Sequence, residues 1–354
     1  MALNNTQLMP KRYGGRKAGI ELAAIAFLLF FAINAGAQSA DSLPAKRLHL
    51  LEPADSLHKG RFWTCAAGGA AIYGVAAAGL YQAWYKDYEL IGFHTFNDWA
   101  EWKDMDKMGH FITTYTECRL VYNGARWTGM RHKPALWTGV AVGAFLQATV
   151  EVMDGFSAKW GFSWADMGFN TAGLSLFAAQ ELAWQEQRIV AKVSYTRPNY
   201  PSEFAYTLGG PPPMTVEQRA RELYGVSFAE SFLKDYNALS IWASFNLHAF
   251  VSPRRPDTRL PKWLNIAVGY GAENLYGGFK NEWTDAAGNL NFLPEDEYPR
   301  YRQFFISPDI DFTRIPTRSR VLKTVFSALN FIKIPAPALE INTRGKVKGY
   351  WFYW

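Results

Sequence analysis

Three polar clusters interrupt otherwise apolar helical stretches: Asp106-Lys107-x-x-His110, Glu151-x-x-Asp154 and Asp166-x-x-x-Asn170. Ionisable groups on an apolar helix face are costly unless they find partners or ligands. At offsets of three and four, Asp106 with His110, Glu151 with Asp154, and Asp166 with Asn170 each share one side of a helix turn. Each of three helices therefore offers a polar stripe. Turning the stripes toward one another satisfies all three, so the sequence predicts a common interior centre.

The helices that carry them are expected over residues 62–85, 104 or 106–127, 134–153 and 164–187, the last with Ser163 as N-cap. Short connections favour an up-down bundle. The first and third are nearly free of charge and long enough to cross a bilayer, which favours a membrane-embedded bundle. The expected fold is thus mainly α, a four-helix bundle over 60–196 followed by a smaller β-rich region. A Pro- and Gly-rich linker with short amphipathic helices fills 197–236. Over 237–354 the pattern alternates, with strands expected at 240–251, 263–275, 302–312 and 338–353 and a helix at 318–332. Four or five strands are too few to close a transmembrane barrel, so a small sheet on the bundle is expected. Gly269-x-Gly271 opens no helix and reads as sheet glycine rather than a nucleotide loop.

The N-terminus carries Lys11, Arg12, Arg16 and Lys17, an apolar run at 22–33, and Ala35-Gly36-Ala37. That order describes a signal peptide over 1–37, followed by a mobile leader over 38–59. The chain is therefore expected in the periplasm or at the outer membrane, with the inner membrane as the alternative. No cysteine stands directly after the apolar run, so lipid attachment there is unsupported. Cys65 and Cys118 are the two cysteines; an oxidising compartment permits a bridge, and two buried thiols are the alternative. The 14 Trp and 16% aromatic content suit membrane interfaces as well as a Trp-rich core. A net charge of +6, dispersed and without a basic stripe, argues against nucleic acid as partner. No nucleotide partner is expected either; membrane lipid or envelope proteins are.

Three chemistries fit the clusters. As ligands, Asp106, His110, Glu151 and Asp166 form an oxygen-rich set with one imidazole that suits a divalent metal. As acid and base, His110 beside Glu151 or Asp166 can move protons near neutral pH. As structure, Lys107 or Arg119 pairs with the carboxylates, and Asn170 completes a buried network with Asp154 nearby. Alternatively, Lys107 reaches the boundary. His94, His132 and His248 lie outside the pattern. No nucleophile elbow or phosphate loop supports catalysis, so the reading favours a non-enzymatic structural, binding or assembly role with no cofactor. A membrane-surface hydrolase or metal-dependent enzyme acting on an envelope lipid or glycan is the alternative.

The blocks Asp106-Lys107-Met108-Gly109-His110-Phe111, Glu151-Val152-Met153-Asp154-Gly155 and Asp166-Met167-Gly168-Phe169-Asn170-Thr171-Ala172-Gly173 occur in that order. In this the chain resembles the YfiM-like family of envelope proteins of unknown function and, more distantly, VanZ-like membrane proteins. The resemblance covers about residues 84–186 and implies an envelope location without an assigned reaction.

Overall fold

The computed structural model describes residues 49–354 except 87, 211–213 and 286. The expected signal peptide, the first part of the leader and Pro211–Pro213 of the expected linker lie outside the described residues.

Helix α1 (Lys59–Leu80) is followed by a π turn (Tyr81–Tyr85), and α2 (Met105–Trp127), α3 (His132–Gly155) and α4 (Trp164–Trp184) come next. The last three pack on one another. Their core joins Tyr115, Cys118, Leu136, Phe177 and Ala178. Two glycines set the approach. A Cβ on Gly173 would lie 2.2 Å from the Phe111 carbonyl oxygen, and one on Gly139 would lie 2.6 Å from that of Cys118. Only hydrogen at these positions lets α4 and α3 reach the α2 backbone. Both cysteines are free.

The expected four-helix bundle is not what forms. Among the described residues the chain is 44% helical and 22% strand, with a six-stranded antiparallel sheet and a second, smaller one. Two physical reasons stand out. Helix α1 is apolar around its whole circumference, so it has no single stripe to bury, and its one buried residue is Arg61. That guanidinium holds the α1 start to the α2 end, donating to the carbonyls of His49, Glu52 and Trp127. Where a fourth helix would pack, α2 instead meets strands: β1 (Ile189–Tyr195), which follows α4 directly, and β3 (Leu239–Asn246). Strand β1 had been read as the tail of the bundle.

After β1 come β2 (Tyr206–Leu208), α5 (Val216–Tyr224) and α6 (Phe228–Lys234), then β3, α7 (Leu247–Val251) and β4 (Leu264–Glu273). Strands β5 (Glu282–Thr284), β6 (Leu290–Phe292) and β7 (Tyr301–Ile310), helix α8 (Arg320–Leu329), β8 (Ala336–Asn342) and β9 (Val347–Tyr353) complete the order. The large sheet runs β1-β3-β4-β7-β8-β9 and the small one β2-β6-β5. The small sheet and α5 enclose a second core around Tyr224, Tyr276 and Trp283.

The large sheet curls toward closure. Val193 of β1 pairs with Ile332, just ahead of β8, and the Tyr353 hydroxyl crosses the interior to Ser240 at 2.9 Å. One register row, Lys192, Trp242, Gly269, Phe305 and Glu340, faces inward. Gly269 leaves the space that the Trp242 indole fills. The interior joins an apolar cluster of Trp242, Ala267 and Phe305 to a buried polar network: Lys192 Nζ lies 2.8 Å from Asp309, which also accepts from Ser244 at 2.6 Å, and Glu340 accepts from Asn342 and Tyr350. The outer face is apolar. On β1 and β3 it lies under the helices, with Ala191 joining their core, and Tyr270 and Arg302 meet residues 103–104, whereas Ile266, Val268, Phe304, Ile306, Leu339, Ile341 and Val347 stay exposed.

Candidate functional site

The three polar stripes do meet. Asp106 and His110 stand on the first two turns of α2, Glu151 on the last turns of α3, and Asp166 and Asn170 on the first turns of α4. Asp106, His110 and Asp166 each offer a ligand atom within 4.8 Å of the other two.

Lys107 lies at the middle, wholly buried, rather than reaching a boundary. Its Nζ is 2.7 Å from Asp166 Oδ1, 3.2 Å from Asp106 Oδ2 and 2.5 Å from Asp98 Oδ2. Asp98 is a centre residue that the sequence pattern missed. It sits in the aromatic segment ahead of α2, and Ser163 Oγ donates to its other oxygen at 2.6 Å. Ser163 therefore does two jobs, because its Oγ also accepts from the Asp166 amide as the α4 N-cap. Arg119, the other expected cation, lies elsewhere, at a polar cavity of about 270 Å³ lined also by Glu181, Asp311 and Arg314.

The imidazole is sandwiched. His110 Nδ1 faces Asn170 Oδ1 at 3.3 Å and Glu151 Oε1 at 3.5 Å, while Nε2 looks toward Asp166 Oδ2 at 3.8 Å. Thr114 holds the Asn170 oxygen at 2.8 Å. The Ser163 amide donates to Glu151 Oε2 at 3.2 Å, yet Glu151 Oε1 and Asn170 Nδ2 are buried without a hydrogen-bond partner. Asp154 sits to one side and accepts from the Tyr85 hydroxyl at 2.7 Å. Of the remaining histidines, His94 meets the Trp160 carbonyl and His132 meets Glu181, both away from the centre.

Carboxylates outnumber cations here, and the electrostatics follow from that excess. Burial, then Asp106, pushes the Asp166 carboxyl up to about 8, with Asp98 close by. Burial lifts Glu151 to about 7 against the opposing pull of His110, and Asp154 to about 6 against the Tyr85 hydrogen bond. For Asp98 burial works upward too, but bonds from Asp166, Lys107 and Ser163 outweigh it and hold the group low. Burial disfavours charge on His110, and Asp106, Asp166 and Glu151 together overcome this and raise it.

The strand region reaches into the centre. Tyr236, ahead of β3, donates to Asp106 Oδ1 at 2.8 Å. Residues 100–104 form the seam, with Ala100, Trp102, Lys103 and Asp104 all at positive φ. Tyr270 of β4 bonds the Lys103 carbonyl, and Arg302 of β7 grips Asp104 at 2.5 Å. Backbone this strained persists only where its surroundings fix it, and these contacts do so.

Residues 95–180 match a family model described as predicted periplasmic lipoprotein (DUF2279). That segment contains Asp98, Lys107 and all six expected site residues. The match supports an uncharacterised envelope family and an exported, periplasmic or envelope location, without singling out the YfiM-like or VanZ-like families. No curated protein and no solved structure matches the chain.

Proposed function

We propose that this protein is a membrane-associated envelope component that seats the bare wall of its curled sheet in lipid, in a structural or binding role rather than a catalytic one. The observation that carries this reading is the reversed polarity of that sheet. A sheet that faces water on one side turns polar residues outward. Here Lys192, Asp309, Ser244 and Glu340 point in, while Ile266, Val268, Phe304, Ile306, Leu339, Ile341 and Val347 point out at 36 to 63% exposure.

The outward residues form rows across the strands. Val268, Ile306 and Leu339 make one, and Phe304, Ile341 and Val347 make the next. Trp351 and Phe352 add two almost fully exposed rings at the end of β9. An apolar outer face around an interior that holds the charged groups is the arrangement of strands that meet lipid. A fully buried side chain of this kind contributes about 1.5–3 kcal/mol on leaving water, so a row of them suffices for stable seating. Helix α1, apolar and long enough to cross a membrane by length and composition, touches α3 through Tyr73 and α2 through Cys65 and leaves the rest of its apolar surface incompletely covered.

The test is flotation of the full chain with phosphatidylcholine vesicles. The wild type floats, and Ile306→Glu combined with Leu339→Glu cuts the bound fraction at least tenfold while the circular dichroism spectrum stays unchanged. A wild type that stays in the dense fraction, or a double variant that floats equally well, overturns the proposal.

A further inference from the structure

We propose that Asp106, His110 and Asp166 bind one divalent first-row transition ion, with Glu151 as the carboxylate that orients the imidazole. The donor set is one nitrogen with carboxylate oxygens, a mixture that suits Mn²⁺, Fe²⁺ or Zn²⁺ better than the all-oxygen shell Ca²⁺ prefers. The ligand atoms come from two helices, at the first turns of α2 and α4, whose approach Gly173 fixes. The site is therefore held by rigid elements rather than by a loop.

The orientation of the ring is the second argument. With Nδ1 turned to Asn170 Oδ1 and Glu151 Oε1, the proton belongs on Nδ1. Nε2, whose proton an arriving cation would displace, is then directed into the space shared with Asp166 Oδ2, which is 3.8 Å away and too far for a hydrogen bond. A carboxylate behind a ligating imidazole is the usual way a protein fixes tautomer and ring angle at a metal. On the opposite side, Lys107 holds Asp166 Oδ1 and Asp106 Oδ2 and Tyr236 holds Asp106 Oδ1, so Asp166 Oδ2 is free to turn toward Nε2 and Asp106 would bind through a second lone pair of an oxygen already engaged.

The independent pointer is Glu151 itself. It is 1% exposed, and its Oε1 is aimed at the imidazole with no hydrogen-bond partner. An orphan carboxylate oxygen at that depth is expensive. Coordination at Nε2 would sharpen the Nδ1 proton as a donor and draw that contact below 3.5 Å. An acidic network built only to lock helix register has no need of this arrangement; the balanced interior of the sheet shows what such a network looks like.

The inference does not depend on lipid seating, and its test needs no vesicles. Untagged full-length protein is stripped with chelator and titrated with Mn²⁺ alone and with Zn²⁺ alone, with bound ion counted by elemental analysis. The expected result is about one ion per chain for at least one of the two. His110→Ala and Asp166→Asn should weaken binding at least a hundredfold, Glu151→Gln roughly ten- to a hundredfold, and Asp154→Asn not at all. Because a ligand variant that does not fold binds nothing, electron spin-echo measurements on the Mn²⁺-loaded wild type give a second readout, a single imidazole nitrogen coupling. A wild type that retains neither ion, or an ion that shows no nitrogen coupling and stays bound after His110→Ala, overturns the assignment.

Discussion

The protein has two buried polar networks, and they are built to different rules. Inside the sheet, Lys192 and Lys333 stand against Asp309 and also donate to the Ile310 and Ile334 carbonyls, Asp309 accepts from Ser244, and Glu340 accepts from Gln303, Asn342 and Tyr350. In the helical unit, Asp98, Asp106, Glu151, Asp154 and Asp166 face Lys107 and His110, and Glu151 Oε1 and Asn170 Nδ2 are left over. A charge-matched, satisfied network specifies a fold. An acid-rich one with orphans is incomplete without a proton or a cation, so the mismatch, not the burial, is what marks a site.

The largest effects come from removing the cation of either network. Lys107→Met and Lys192→Met each strand buried carboxylates and should cost about 3–5 kcal/mol, read as a fall in the urea midpoint. The comparison breaks if Lys107→Met is neutral, because the centre would then be held by something other than its ion pairs. Gly173→Ala should follow at about 1–3 kcal/mol, since its methyl meets the Phe111 carbonyl, and its loss should fall on the helical unit in hydrogen exchange. The carboxylates sharpen the contrast most, although the effect is smaller. Glu340→Gln should destabilise by about 1–3 kcal/mol, whereas Glu151→Gln at pH 8 without added metal should stabilise by about 1–2 kcal/mol. Equal signs for the two would erase the distinction.

The pH dependence has a definite sense. Folding lifts Asp166 to about 8 and Glu151 to about 7, from the ordinary range near about 4. The folded chain therefore keeps protons that the unfolded chain releases. Their contribution is fully present below about pH 4 and is lost as pH rises through 7 to 8. Thermal melts of the chelator-treated chain should show a falling midpoint over that window, flatter in Glu151→Gln. A midpoint that rises with pH across it would contradict the assignment of cause.

How far the sequence could be read depends on how local each signal is. The convergence of Asp106, His110, Glu151, Asp166 and Asn170 was legible because helical spacing alone places each stripe, and a polar stripe in an apolar helix has few places to go. Ser163 was legible as a cap for the same reason. Asp98 was not, because its reach to Lys107 runs through the left-handed backbone at 100–104, which no residue preference there signals. Tyr236 closes a contact 130 residues away from Asp106, beyond any spacing argument. The sheet failed differently. Alternation in Ile189–Tyr195 and Leu264–Glu273 marks strands but says nothing about which side faces out. Ile189–Tyr195 follows an apolar helix directly and falls within the 60–196 span of the expected bundle, so β1 was not separated from it, and the curl of the sheet rests on long-range pairings that no spacing announces. The first helix, at 62–85, was expected in the bundle from its apolar length, yet length without a one-sided stripe gives it only scattered contacts such as those of Cys65 and Tyr73.

The Tyr236 hydroxyl on Asp106 and the Arg302 grip on Asp104 give the seam a mechanical meaning. Tyr236 stands three residues ahead of β3 and its oxygen ends on a carboxylate of the centre, while Arg302 of β7 ends on the residue just before α2. The greasy wall and the acidic heart therefore share one joint, and a change in the sheet at this joint would reach Asp106 through a single hydrogen bond.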